Sequence, residues 1–78
     1  MDISQQILDR ATRVAAAAER TRRAGTVVMD AAAVRWRSPA AERFRRQLDG
    51  ISEDLQRTTG LLDELAGDLR RLAAAVRR

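Results

Sequence analysis

The chain has 78 residues, enough for one small domain, and its 15 basic residues, all arginine, outnumber 11 acids to give a formal charge of +4. It has no Cys, His or Tyr. That removes disulfides, thiol chemistry, the usual nitrogen metal ligand and the commonest general base. What remains is rich in Ala, Leu, Arg, Asp and Glu, a helix-forming palette with almost no aromatic residues.

The start, Met1 to Gln6, has neither a basic n-region nor an apolar core ahead of a cleavage site, so no ordinary secretory leader is expected. No uncharged run is long enough to span a bilayer. The expectation is a soluble chain, cytoplasmic when synthesised. Asp2 followed by Gln5 predicts a helix start of the capping-box type. From there Ile7, Ala11, Val14, Ala18, Thr21, Gly25, Val28 and Ala32 recur in steps of three and four, the seam of a helix packed along its length over about residues 3–35. Such a helix is roughly 50 Å long at 1.5 Å per residue. Its seam is filled by small residues, which allow a second helix to come close but bury little area. Gly25 on the seam marks a close crossing or a bend, at a cost of about 1 kcal/mol relative to Ala.

Trp36-Arg37-Ser38-Pro39 holds the only Trp and the only Pro. Ser is a favoured N-cap and Pro fits the first helical position, so a second helix is expected from 39 to about 77. Pro also biases Ser38 away from helical angles, which ends the first helix before a short turn at 36–38. A connection this short makes the helices antiparallel. Trp36 then sits at the corner, where its ring either covers the open end of the core or is presented to a partner.

In the second half Ala41, Phe44, Leu48, Ile51, Leu55, Thr58, Leu62, Leu65, Leu69, Leu72 and Val76 step by three and four without a slip. A break at Thr58-Thr59-Gly60 would give three helices, but the unbroken seam argues against it. Charge is blocked: Arg10, Arg13, Arg20, Arg22 and Arg23 fall in the first helix, and Asp49, Glu53, Asp54, Asp63, Glu64 and Asp68 in the second. Folding near residue 37 lays the two blocks side by side. The corner keeps Arg35, Arg37, Arg43, Arg45 and Arg46 as a basic tip.

Two helices share one seam, and a seam made largely of Ala buries too little to offset ordering the chain. Leu61, Ala66, Ala73, Ala17, Ala24 and Val27 widen the apolar stripe beyond it. The predicted fold is therefore all-α: an antiparallel hairpin of two long helices that dimerises into a four-helix bundle. Val14, Val28, Phe44, Leu48, Ile51, Leu55, Leu62, Leu65, Leu69 and Leu72 are the candidate core and partner interface.

No catalytic constellation is legible. Ser4, Ser38 and Ser52 have no His or Lys to activate them. Asp63, Glu64 and Asp68 are followed by Arg70 and Arg71 and read as surface ion pairs rather than a metal site. No cofactor is expected. Nucleic acid is disfavoured because acids interleave with the arginines and no aromatic platform exists for bases. A membrane-surface role is disfavoured because the apolar face is committed to packing.

Two helices of similar length, a Trp at the corner and the segment Trp36-Arg37-Ser38-Pro39-Ala40-Ala41-Glu42-Arg43-Phe44 resemble the WXG (ESAT-like) family of type VII (ESX) secretion in actinobacteria and related Gram-positive bacteria, in the variant with Ser in place of the Gly of Trp-x-Gly. The resemblance matches Trp36 to the family tryptophan and Ser38 to the glycine position. It implies a homodimer, or a heterodimer with a related small hairpin or the helical domain of a larger effector. It also implies a role as a secreted substrate, or as a partner that escorts one to the secretion ATPase. The family's secretion tail, a Tyr followed four residues later by an acid, has no counterpart here, and the chain is shorter than the family's typical length. An escort or non-exported partner therefore stands beside a substrate. A coiled-coil adaptor with no tie to secretion is the alternative, and an Arg-rich nucleic-acid-associated bundle comes third.

Overall fold

The computed structural model describes residues 2–33 and 38–77. The chain is all-helical: α1 spans Ile3–Ala32 and α2 spans Pro39–Arg77. The two pack as an antiparallel hairpin, a rod of 60 × 15 × 12 Å. Its length is that of α2 itself, roughly 58 Å for 39 residues at 1.5 Å each. Val34 to Arg37, and with them the expected turn and Trp36, lie outside the described residues.

Each helix start has a side-chain cap. Asp2, with extended backbone angles, accepts from the Ser4 amide at 3.3 Å and also takes the Ser4 hydroxyl. The reciprocal half of the expected capping box is not formed. The Gln5 amide reaches forward to Asp9 at 3.1 Å instead of back to Asp2. At α2, Ser38 Oγ accepts from the Ala41 amide at 3.1 Å and the Ser38 carbonyl from the Glu42 amide at 3.0 Å. Pro39 occupies the first helical position, where its missing N–H leaves no bond unmade. α1 closes at Ala32, with the Ala33 amide bonded to the Met29 carbonyl at 3.0 Å.

α2 runs through Gly60 without a break. Thr59 beside it donates its hydroxyl to the Leu55 carbonyl at 2.8 Å, and Thr21 does the same to Ala17 at 2.9 Å. These i−4 bonds let two polar, β-branched residues lie at the helix contact with their hydroxyls satisfied.

Three observations set the heights of the helices against each other. Arg77 Nε donates to Ser4 Oγ at 3.4 Å at the open end. Arg22 pairs with Asp63 at 2.9 Å. A methyl group at Gly25 would meet Leu55 Cβ at 3.9 Å, which is ordinary contact. Gly25 is helical and buried at the contact with α2, where there is room for a methyl group. Arg22–Asp63 joins the basic block of α1 to the acidic block of α2, as the charge pattern anticipates. Both side chains are half exposed, so the pair adds less than about 1 kcal/mol.

Candidate functional site

The α1 seam is the one its spacing predicts. Ala11, Ala18 and Gly25 are buried, and Ile7, Val14, Thr21, Val28 and Ala32 are half-buried. In α2 the spine of the contact is Ala41, Leu48, Leu55, Leu62 and Leu69, the first two buried and the others half-buried.

Beside that spine the structure differs from the predicted seam. The residues three positions after each spine residue are Phe44, Ile51, Thr58, Leu65 and Leu72, and all are exposed. Those four positions after it are Arg45, Ser52, Thr59, Ala66 and Ala73, and they turn toward α1. Ala66 and Ala73 are 2% and 1% exposed, while Ile51, Leu65 and Leu72 are 47%, 45% and 50% exposed. Ala66 and Ala73 are thus part of the hairpin seam, not a widening of the stripe outside it. The physical reason is distance. The α1 seam is Ala11, Ala18 and Gly25, and small residues opposite small residues let the backbones approach. Leu or Ile in the same place would hold the helices apart and leave gaps over the alanines.

The two flanks lie on opposite faces of the hairpin. In an antiparallel pair, the positions three after the seam fall on one face for both helices, and those four after fall on the other. The structure shows the second face as an open groove of about 230 Å³, with Arg22, Thr26 and Met29 on one wall and Ser52, Gln56 and Thr59 on the other. That groove is lined by Gly25, Met29 and Leu55 as well as by Thr21, Arg22, Thr26, Ser52, Gln56 and Thr59. The first face carries Ile7, Val14, Thr21 and Val28 from α1 beside Phe44, Ile51, Leu65 and Leu72 from α2, with Leu61 exposed at its edge. It is a long apolar stripe of the kind a helical partner covers.

Every candidate core residue therefore lies at the hairpin contact or on this face. Leu48, Leu55, Leu62 and Leu69 serve the hairpin, Val14 and Val28 lie at its border, and Phe44, Ile51, Leu65 and Leu72 point outward. At the corner, Ser38 and Pro39 form the helix start, Arg43 and Arg46 are exposed, and Arg45 is half-buried with Nη1 on Glu42 at 3.3 Å. Arg35, Arg37 and Trp36 fall outside the described residues.

The contact the sequence did not point to is that between Ser4 and Arg77. Their bond ties the two ends together, and Ser4 is buried there. The Asp2 carboxyl beside them is held below its ordinary range, first by the Ser4 hydroxyl and the Ser4 amide, then by the Arg77 charge. Among the described residues, no group of three or more Asp or Glu side chains is placed to hold a metal ion. No helix there is long and apolar enough to cross a membrane. Comparison with protein-family models, curated proteins and solved structures returns no match.

Proposed function

We propose that this chain is a WXG-like helical hairpin that acts by docking against another helical hairpin in type VII secretion, as a substrate or as the escort of one, without catalysis. The observation that carries the reading is the apolar face built by Ile51, Leu65 and Leu72 beside the α1 seam, exposed along a hairpin whose buried apolar residues, among those described, are mostly alanines. The segment Trp36 to Phe44 supplies the tie to secretion, through its likeness to the family motif. The partner is a second small hairpin or the helical domain of a larger effector, and the pair is presented to the secretion ATPase.

Trp36→Ala tests the reading in the native host. If the ring is read by a secretion component, export of the chain or of its bound partner stops while helicity and partner binding persist. If the ring only packs, thermal stability falls and export of the remaining folded protein is unchanged. Recovery of the chain with coiled-coil partners that have no link to an ESX system would favour a free-standing adaptor using the same face.

A further inference from the structure

The groove turned away from the apolar stripe has a chemistry of its own. We infer that it docks a single helix of a partner protein, one that sets Arg or Lys residues one turn apart among small apolar residues on the side facing the groove. This does not depend on what covers the opposite face.

The groove lies between the two helices as adjoining cavities of about 230 and 440 Å³ that share Met29 and Ser52. It extends from Arg22 and Thr59 to Ala33 and Asp49. That is roughly 16 Å of α1, about three helical turns. At one end Arg22 reaches across to Asp63 at 2.9 Å and closes it. A trough open along its length does not enclose a small ligand as a pocket does. A helix laid along it is held from both sides.

The polar groups of the groove are mostly acceptors. Thr21, Thr26 and Thr59 donate their hydroxyls to the carbonyls of Ala17, Arg22 and Leu55 within their own helices. Each then has only oxygen lone pairs left to offer. The Arg22 guanidinium already holds Glu19 and Asp63. Asp49 and Glu53 line the far end and form no ion pair among the described residues. Ser52, buried between them and Thr59, and Gln56 are the two lining groups that can give as well as accept. An occupant must therefore bring N–H donors.

Charge points the same way. The chain as a whole is +4, yet around this groove Glu19, Asp49, Glu53 and Asp63 stand against Arg22 and Arg23. The next cations along α2, Arg45 and Arg46, lie beyond Asp49, with Arg45 on Glu42. An anionic partner meets like charge here, and a basic one meets its complement. Between the polar groups the lining is apolar, with Gly25, Met29, Ala32 and Leu55. It suits the methylene stem of an Arg or Lys whose charged head reaches a carboxylate at the edge. Asp49 and Glu53 are one turn apart on α2, about 6 Å, which is the spacing of two basic residues at i and i+4 on a helix alongside.

The test titrates the isotope-labelled full chain with a capped, Ala-rich helical peptide of about four turns that carries two Arg residues one turn apart. Amide NMR signals of Gly25, Met29, Ser52 and Gln56 should move and saturate, while those of Leu65 and Leu72 stay in place. Binding should weaken with added salt. It should weaken about fivefold or more in the variant with Asp49→Asn and Glu53→Gln, two exposed positions whose change leaves helicity intact. Movement at Leu65 and Leu72 instead, equal binding by the peptide with Glu in place of Arg, full affinity in the double variant, or no binding at all overturns the inference. Octylguanidinium alone binding the groove as tightly as the peptide overturns the helix as occupant. Sedimentation of the same samples reports self-association separately, so failure at this groove and failure of the hairpin reading are told apart.

Discussion

Along α2, Ser52, Thr59, Ala66 and Ala73 face α1, while Ile51, Leu65 and Leu72, each one residue or a heptad and one residue away, face outward. The two rows have the same period and flank the same leucine spine. They differ in volume, and volume decides their fate. α1 offers Ala11, Ala18 and Gly25, so the hairpin closes through the row that lets the backbones come together. The row with the larger apolar area is the one left over. A hairpin built this way holds its shape through close approach and leaves its larger apolar row exposed to water.

The most disruptive way to break the comparison is to exchange the rows. Ala66→Leu puts a bulky side chain where only a methyl fits, and overpacking of this kind costs about 1–3 kcal/mol. Thermal unfolding followed by circular dichroism should show Tm falling by several degrees or more. The converse change, Leu65→Ala or Leu72→Ala, leaves the hairpin seam intact. Each should weaken association roughly tenfold, about 1.4 kcal/mol, in sedimentation equilibrium. If Leu65→Ala acts on the isolated hairpin as strongly as Ala66→Leu, the two faces are not distinct.

Smaller effects sharpen the account at particular residues. Ser38→Ala removes the N-cap of α2 and should cost about 1 kcal/mol, measurable by chemical denaturation. Gly60→Ala and Gly25→Ala should each stabilise by about 0.5–1 kcal/mol through helix propensity. Gly60 has nothing within 4 Å of an added methyl, and at Gly25 the nearest atom is Leu55 Cβ at 3.9 Å. The Gly25 change should therefore gain at least as much as the Gly60 change, and a loss there would mean the seam is closer than its geometry indicates.

The smallest effect is at the open end. Asp2 is held below its ordinary pKa by Ser4 and Arg77, so the unfolded chain binds the proton more readily than the folded one. Its contribution is complete above the usual aspartate range, about pH 4 to 5, and is lost as the pH falls through the lowered value. Amide exchange at the first turn of α1 should quicken over that acid window, and Asp2→Asn should remove the dependence.

The seam of α1 and the start of α2 at Ser38-Pro39 were legible in the sequence, because small-residue spacing and an N-cap with proline at the first position act locally. The opposed charge blocks anticipated the antiparallel hairpin and the Arg22–Asp63 pair. The choice between the flanks of α2 was not legible. Steps of three and four fit Ala41, Phe44, Leu48 and Ile51 as well as Ala41, Arg45, Leu48 and Ser52, and hydrophobicity favours the wrong row for the intrachain contact. Only the width of the facing helix decides, and that is a tertiary property. The surface ion pairs take three-residue spacing, Glu42 with Arg45 and Asp54 with Arg57.

The central claim is that the hairpin keeps an apolar face for another hairpin. Its most direct test is the unfolding midpoint of the full chain measured across a wide range of protein concentration, with mass determined in parallel. The account predicts a Tm that climbs with concentration alongside a shift from monomer to dimer. A midpoint independent of concentration, in a folded monomer, would contradict it.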